Sequence, residues 1–404
     1  MMKSPTSQAV SRIRWSPLAL HLGLLLGAGL ASLPAVHAAD LSWSGFATAG
    51  YAVSDRSYTY ERYVDRSGTF RRDSLAGAQL VAELAPRWSA TVQATMAPSV
   101  SDDQRWDARL QWAFLSYRLS NDTLLRAGKL RMPMYLFSEN MQVGASYDVM
   151  HLPTEVYSTA PTNDYTGLAF SRNWSLASGE LGLEAYAGRT SLTARAQQGG
   201  SSPGELHTRS GGVVLAYRHE DDVWRMGWQR SRIRVDGMGK GAGPLEPQQG
   251  GSDIAPGVPL GADSDGIDTR VALLGADLHF NNGLRAVSEY AWRHAANAVT
   301  PKNSQGAYLT LLRPVGKWTP YVTLARLLSE RAARVAEGTR GGVDDQRSLS
   351  LGSSYSLSPN SKFKLEWMQV HIGTSSSLID HSAGAGVVQH QNLNVLSASY
   401  SVVY

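Results

Sequence analysis

Residues 396–404 read Leu396-Ser397-Ala398-Ser399-Tyr400-Ser401-Val402-Val403-Tyr404. Leu396, Ala398, Tyr400, Val402 and Tyr404 occupy every second position, with the small polar Ser397, Ser399 and Ser401 between them. A two-residue period describes a strand with one apolar face and one wet face. Such a strand fits the edge of an ordinary amphipathic sheet, or a wall with lipid on one side and water on the other.

The first residues favour the second alternative. Lys3, Arg12 and Arg14 precede an apolar stretch from Leu18 to Leu33, and Val36-His37-Ala38 places small residues where a signal peptidase reads. Residues 1–38 are therefore expected to be a cleaved signal peptide and 39–404 a single outer-membrane domain. Gly23, Gly27, Gly29 and Pro34 interrupt the apolar run and argue against a permanent membrane helix. The chain has no cysteine; a small exported domain would want disulfides, but a large closed sheet satisfies its own hydrogen bonds without them. The formal charge of +4 includes Lys3, Arg12 and Arg14, and removing these three leaves +1. That balance gives no support to nucleic-acid binding. A mean hydropathy of -0.24 is no argument against a membrane barrel, in which only alternate residues meet lipid.

Alternation recurs along the chain. We expect strands at 41–54, 74–85, 88–98, 107–119, 123–131, 164–173, 179–189, 209–220, 223–235, 268–280, 284–295, 305–313, 318–330, 345–358, 361–372 and 391–404. Connections are alternately short and turn-like, as at Pro86-Arg87, Asp221-Asp222 and Pro359-Asn360, and long and rich in Gly, Pro, Ser and charge, as at 54–73, 133–162, 191–205, 236–266, 331–343 and 374–389. The fold class is all-β: a transmembrane antiparallel barrel of about 16 strands, or 14 if one pair merges, with both termini at the short-turn end. Trp43, Trp88, Trp174, Trp224 and Trp318 lie near that end and suit an aromatic girdle or ordinary cross-strand packing.

The faces carry chemistry. Leu284, Ala286, Tyr290 and Trp292 oppose Arg285, Glu289 and Arg293; Phe363, Leu365 and Trp367 oppose Lys362, Lys364 and Glu366; Trp224, Met226 and Trp228 oppose Arg225 and Gln229. Charge on one parity implies a water-filled lumen, because an unpaired charge in a packed core costs several kcal/mol. Arg225, Arg285, Glu289, Arg293, Lys362 and Lys364 are thus expected on the lumen wall. The connection 133–162 is long and unusually apolar, with Met134, Tyr135, Leu136, Phe137, Met141, Val149 and Met150, so it should fold inward and pack on the wall.

Resemblance sharpens this reading. Ala127-Gly128-Lys129 ahead of that connection is similar to the strand end before the constriction loop of Gram-negative porins, and 125–133 resembles the strand-end pattern of phosphate-selective porin-like families. The resemblance implies a third external loop folded into the barrel. It implies a constriction with Lys129 and Arg131 on the wall opposite Glu139, Asp148, Glu155 and Asp164. Arg126, on the other parity, would then face lipid or a neighbouring protomer. Glu139 and Asp148 have an alternative role, pairing with nearby cations to pin the loop. The Pro-Glu-Phe-Gly-Gly tip of the general porin loop is absent. The C-terminal alternation resembles the assembly signal of outer-membrane barrels, which implies that Tyr400, Val402 and Tyr404 are read by the barrel assembly machinery.

The function so implied is a porin of the Gram-negative outer membrane, passing small hydrophilic solutes and ions down their gradients without a cofactor. A homotrimer is implied by resemblance alone. A narrower channel preferring anions or carboxylates is the second reading. A barrel enzyme, or a structural or adhesin barrel, is the reading of another class, but no Gly-x-Ser-x-Gly elbow supports hydrolysis. Asp263, Asp265 and Asp268 resemble a fragment of a calcium loop without its closing Glu, so no metal is expected. His371, His381 and His390 are too widely spaced for a zinc pattern. Arg230, Arg232 and Arg234, alternating above Trp228, suit either lipopolysaccharide phosphates or a solvated charged face.

Overall fold

The computed structural model describes residues 40–99, 102–160, 162–193, 205–236, 266–296, 303–329, 344–380 and 388–404. The expected signal peptide, most of the connections at 191–205, 236–266 and 331–343, and Asp263, Asp265 and His381 lie outside these residues.

Sixteen antiparallel strands close into one barrel. They are β1 (Asp40–Ser54), β2 (Leu75–Ala85), β3 (Trp88–Pro98), β4 (Trp106–Ser120), β5 (Thr123–Arg131), β6 (Asp164–Leu176), β7 (Gly179–Thr193) and β8 (Glu205–His219). The second half is β9 (Asp222–Asp236), β10 (Ile267–His279), β11 (Arg285–Ala296), β12 (Ser304–Leu312), β13 (Trp318–Ser329), β14 (Asp345–Ser358), β15 (Ser361–Ile372) and β16 (Gln391–Val403). Each strand pairs with its sequence neighbours, and β16 closes on β1 with Tyr400 opposite Ala49 and Leu396 opposite Val53. No edge is left, so every ladder has a partner.

Alternation fixes which way each strand faces. On β16 Leu396 and Tyr400 are exposed outside, whereas Ser397, Ser399 and Ser401 are buried inside. On β9 Trp224, Met226 and Trp228 point out while Gln229 and Ser231 are buried. At the short-turn end, aromatic pairs meet across the ladders: Trp88 with Tyr117 at 4.6 Å, Trp224 with Tyr217 at 5.6 Å, and Trp318 with Tyr355 at 4.7 Å between centroids. Trp43 meets Tyr404 edge-on at 5.4 Å, so the belt crosses the closing seam. Trp174 differs: the Arg172 guanidinium lies over its ring at 5.2 Å.

The long-loop end departs from the expectation of solvated loops. Thr59–Tyr60 and Ile379–Asp380, from the first and last long connections, pair as a two-stranded ribbon. Tyr60, Val64, Leu378 and Ile379 are buried against Val370 and Ile372 of β15 and Leu393 and Val395 of β16. Burying these side chains favours an inward-turned cap over a loop in water.

Candidate constriction site

The connection between β5 and β6 carries a short 3₁₀ turn (Gly144–Ser146) and one helical turn, α1 (Thr154–Tyr157). Its apolar residues decide where it goes. Met134, Tyr135, Met141, Met150, Val156 and Tyr157 are buried in one cluster with Leu130, Tyr165, Val214, Leu273, Tyr308 and Tyr321 of the strands. The strand residues of that cluster belong to the inward set, so the connection lies against the inner wall. Small residues on the wall and on the connection make room for it. A Cβ at Gly306 would stand 2.0 Å from the Glu155 carbonyl oxygen, and one at Gly144 would stand 2.5 Å from the Ser401 hydroxyl.

Polar contacts along the wall hold the connection in place. Arg225 donates to the Tyr135 carbonyl. The Leu136 amide donates to Glu289 at 2.8 Å, and Tyr308 donates to the same carboxylate at 2.8 Å. Asp148 accepts from Ser354 at 3.0 Å and from Lys362 at 2.6 Å. Lys364, buried, donates to the Val149 carbonyl at 2.7 Å and lies 4.0 Å above the Tyr147 ring. The Met150 amide donates to Tyr321 at 2.8 Å, and Tyr321 donates to Glu366 at 2.8 Å. Each bond satisfies a group that the connection would otherwise bury unpaired.

His151 of the connection is held between two carboxylates. Its ring nitrogens lie 2.8 Å from Asp73, at the end of the first long connection, and 2.7 Å from Glu366 on β15. Burial and the Arg72 guanidinium press its pKa down, but Asp73 and Glu366 outweigh them and hold it at about 9. Asp73 responds in kind. Burial would raise its pKa, but the imidazolium and Arg72 bring it below the usual carboxylate range. Arg72 is itself paired with Glu61. Between this network and the wall lies a cavity of about 110 Å³ of mixed lining, bordered by Arg72, Lys364 and Ser399 as well as by Leu75, Met141 and Met150.

The residues expected at the constriction scatter. Asp148 and Glu155 sit on the connection but face the wall. Burial raises the pKa of Glu155 although Gln346 and Ser348 donate to it at 2.9 Å and 2.7 Å. Burial likewise acts to raise Asp148, but Lys362 and Ser354 hold it low. Both pin the loop, which is the alternative role considered for Asp148. Glu139 is exposed and lies within electrostatic reach of Glu184 on β7.

Lys129 requires a correction. Leu130 is buried in the inner cluster with its partner Tyr165, whereas Ala127 and its partner Leu168 are exposed outside. Lys129 shares the outer parity and pairs with Asp164 at 2.9 Å near the long-loop rim. The inward cation of β5 is Arg126, which holds Glu184 at 2.5 Å; it faces neither lipid nor another protomer. Arg131 ends in a bond to Gln111 at 3.2 Å, and Gln111 bonds the inward Thr95 at 2.9 Å. The wall residues Arg225, Arg285, Glu289, Arg293, Lys362 and Lys364 all occupy inward positions, with Arg285 fork-bound to Asp277 at 2.7 and 2.6 Å. Sequence reading put Glu366 on the inner parity but missed the Arg126–Glu184 pair and the joining of His151 and Asp73 with Glu366. The only signal for Arg126 was its shared parity with Leu130. Among the described residues no group of His, Asp and Glu has metal-binding geometry.

These features define a closed sixteen-strand antiparallel β-barrel of porin-like fold. Solved structures of that class share the fold. An in-vitro folded, trimeric form of OmpT from Vibrio cholerae superposes with a TM-score of 0.55 at 11% identity, covering 91% of this chain and 100% of that one. An anion-selective porin from Comamonas acidovorans gives 0.56 at 13%, covering 91% and 100%. OmpF of Salmonella typhi in complex with daunomycin gives 0.52 at 13%, covering 89% and 97%. No family model and no curated protein matches the sequence.

Proposed function

We propose that this protein is a porin that passes small hydrophilic solutes and ions passively across the outer membrane. The observation that carries the proposal is the connection between β5 and β6, anchored to inward residues of β9, β11, β14 and β15. A structural or adhesin barrel needs no such internal strap. Anchored along one side of the wall, the strap leaves the Arg126–Glu184 pair on β5 and β7 within electrostatic reach of its exposed Glu139. Opposed charges at a narrow point orient water and solutes and set ion preference.

An anion or carboxylate preference is the second reading. The fold is shared with a porin that is anion-selective, and the cavity is bordered by Arg72 and Lys364 as well as by Asp73 and Glu61. Trimeric assembly is proposed from the trimeric form of OmpT. Purified protein in a planar bilayer under a KCl gradient tests both readings. Discrete ohmic steps support a pore, and the sign of the reversal potential assigns its preference. Folded protein that gives no steps refutes the pore.

A further inference from the structure

The first long connection, the strap and the wall meet around the cavity of about 110 Å³, and each brings charge to it. Glu61, Arg72 and Asp73 come from the first connection, His151 from the strap and Lys364 from β15. Glu61 and Arg62 are both left-handed, at φ 44° and 68°, which is uncommon for two successive residues with side chains. Arg62 pairs with Asp103, while Glu61 stays with Arg72 at the cavity. Glu61 is 5% exposed and Arg72 7%. One oxygen of Glu61 binds Arg72 and one of Asp73 binds His151. The second oxygen of each carboxylate, and Nε of Arg72, have no hydrogen-bond partner among the described residues. Lys364 gives one hydrogen to the Val149 carbonyl and has no carboxylate within ion-pair distance among the described residues. Buried polar atoms left unmet are uncommon and costly.

The space is several times the roughly 10–15 Å³ that one water needs. A simple anion there would meet Arg72 and Lys364 but leave both carboxylates unmet and repelling it. A simple cation would do the reverse. Only a solute with both charges answers both sets, and charge-assisted bonds are the strong ones in a partly dry site. We propose that this cavity binds a small zwitterion, an α-amino acid with a short apolar side chain, its carboxylate towards Arg72 and Lys364 and its ammonium towards Glu61 and Asp73. Leu75, Met141 and Met150 give the short side chain an apolar border. A bound zwitterion bridges the first connection, the strap and the wall, so the site retains a solute beside the pore. Solute reaches it through the pore proposed above, and the assignment rests on that reading.

The test titrates full-length folded protein in detergent with L-alanine by calorimetry near neutral pH. Lactate, alaninamide and lactamide, close in shape, serve as the anionic, cationic and uncharged controls. Alanine should bind saturably and at least about tenfold more tightly than any control, because each control leaves one charged set unmet. Glu61→Gln should weaken alanine about tenfold while lactate holds or gains, since Arg72 then lacks its own carboxylate. Lys364→Met should weaken alanine and lactate but not alaninamide. Either variant weakening all ligands alike overturns the proposal, because its residue then only supports the fold. So does the absence of saturable alanine binding, or a control that binds as tightly. If neither variant folds, the wild-type ranking of the four ligands decides alone. Ohmic steps in KCl without alanine binding refute the site and keep the pore; alanine binding without steps refutes the pore and keeps the site.

Discussion

Lys362 on β15 and Asp148 on the internal connection lie 2.6 Å apart, although 214 residues separate them in the chain. Both side chains are about one-sixth exposed, at 17% each, so the pair works in a partly dry setting. There a charge-assisted bond is stronger than at an open surface, and breaking it strands a charge.

The first expectation follows from that bond. Asp148→Asn keeps an acceptor for Ser354 but removes the charge that Lys362 neutralises. The connection should loosen by about 1–3 kcal/mol, the cost of a half-broken buried interaction. Single-channel records should then show more frequent transitions between conductance levels, with folded yield unchanged. Records as quiet as wild type would mean that the neighbouring Lys364 and Tyr321 contacts hold the segment without it.

Removing residues 138–150 goes further. That stretch contains the 3₁₀ turn, Asp148, the Val149 carbonyl and the Met150 amide, while the sixteen-strand ladder is untouched. The barrel should fold and its single-channel conductance should rise, because the strap no longer occupies the lumen. A deletion that folds with unchanged conductance would show that the first and last connections, joined through Tyr60 and Ile379, limit flow instead.

Almost all of the barrel was legible because lipid and water enforce a period of two. The faces of β9, β11, β15 and β16 read correctly where outward residues are large and inward ones charged or small. The rule inverted on β5. There the inner face is covered by an apolar strap, so Leu130 belongs inside with Tyr165, and Lys129 is free to stand near the rim. A binary pattern records what each face touches, and inside this barrel part of the wall touches protein. The cap formed by Tyr60, Val64, Leu378 and Ile379 was missed for a related reason: its apolar pieces are only a few residues long and lie in polar connections. The luminal His151, Asp73 and Glu366 come from three distant segments, and no spacing along the chain could join them.

Selectivity should therefore respond to Arg126 and not to Lys129. Arg126→Gln leaves Glu184 uncompensated on the wall, near Glu139, and should move the reversal potential towards cation preference. Lys129→Gln changes the outer rim and should leave the reversal potential within error. The reverse outcome would place Lys129 in the lumen and return Arg126 to the outside.

The His151 clamp makes the strap sensitive to alkali. Its pKa is raised to about 9 against an ordinary value of 6.5. A group raised on folding contributes stability that is complete below its unfolded value and fades as pH rises through the folded one. Asp73, lowered on folding, contributes above its ordinary value of 3.8 and loses that contribution as acid protonates it. The clamp is thus strongest between about pH 4 and 6.5 and weakens towards and beyond pH 9. Conductance should stay level over the lower range and become noisier or larger above pH 9. His151→Leu should show that behaviour already at pH 6 and lose the alkaline transition. An alkaline transition that persists in His151→Leu would assign it to another group.

Tyr404 should govern assembly. The Gly45 amide donates to the Tyr404 carbonyl at 2.9 Å, and the Tyr404 amide donates back to Gly45 at 3.0 Å, so this pair extends the β1–β16 seam to its final rung. The ring lies so close over Gly45 that a Cβ there would meet it at 2.0 Å, and its edge rests on Trp43. Closing the seam joins the first and last strands of the barrel, a long-range contact whose entropy must be met before the ladder rewards it. Tyr404→Ser retains the backbone rung but removes the aromatic contact and the outward apolar terminus shared with Tyr400 and Val402. The heat-modifiable folded fraction in outer membranes should fall, most at high expression, where unassembled chains compete for closure. Gly45→Ala should also lower it, by displacing the same ring. Tyr404→Phe, which keeps ring and edge contact, should behave as wild type. Equal folded yields for the serine and phenylalanine variants at every expression level would remove the aromatic residue from the assembly step.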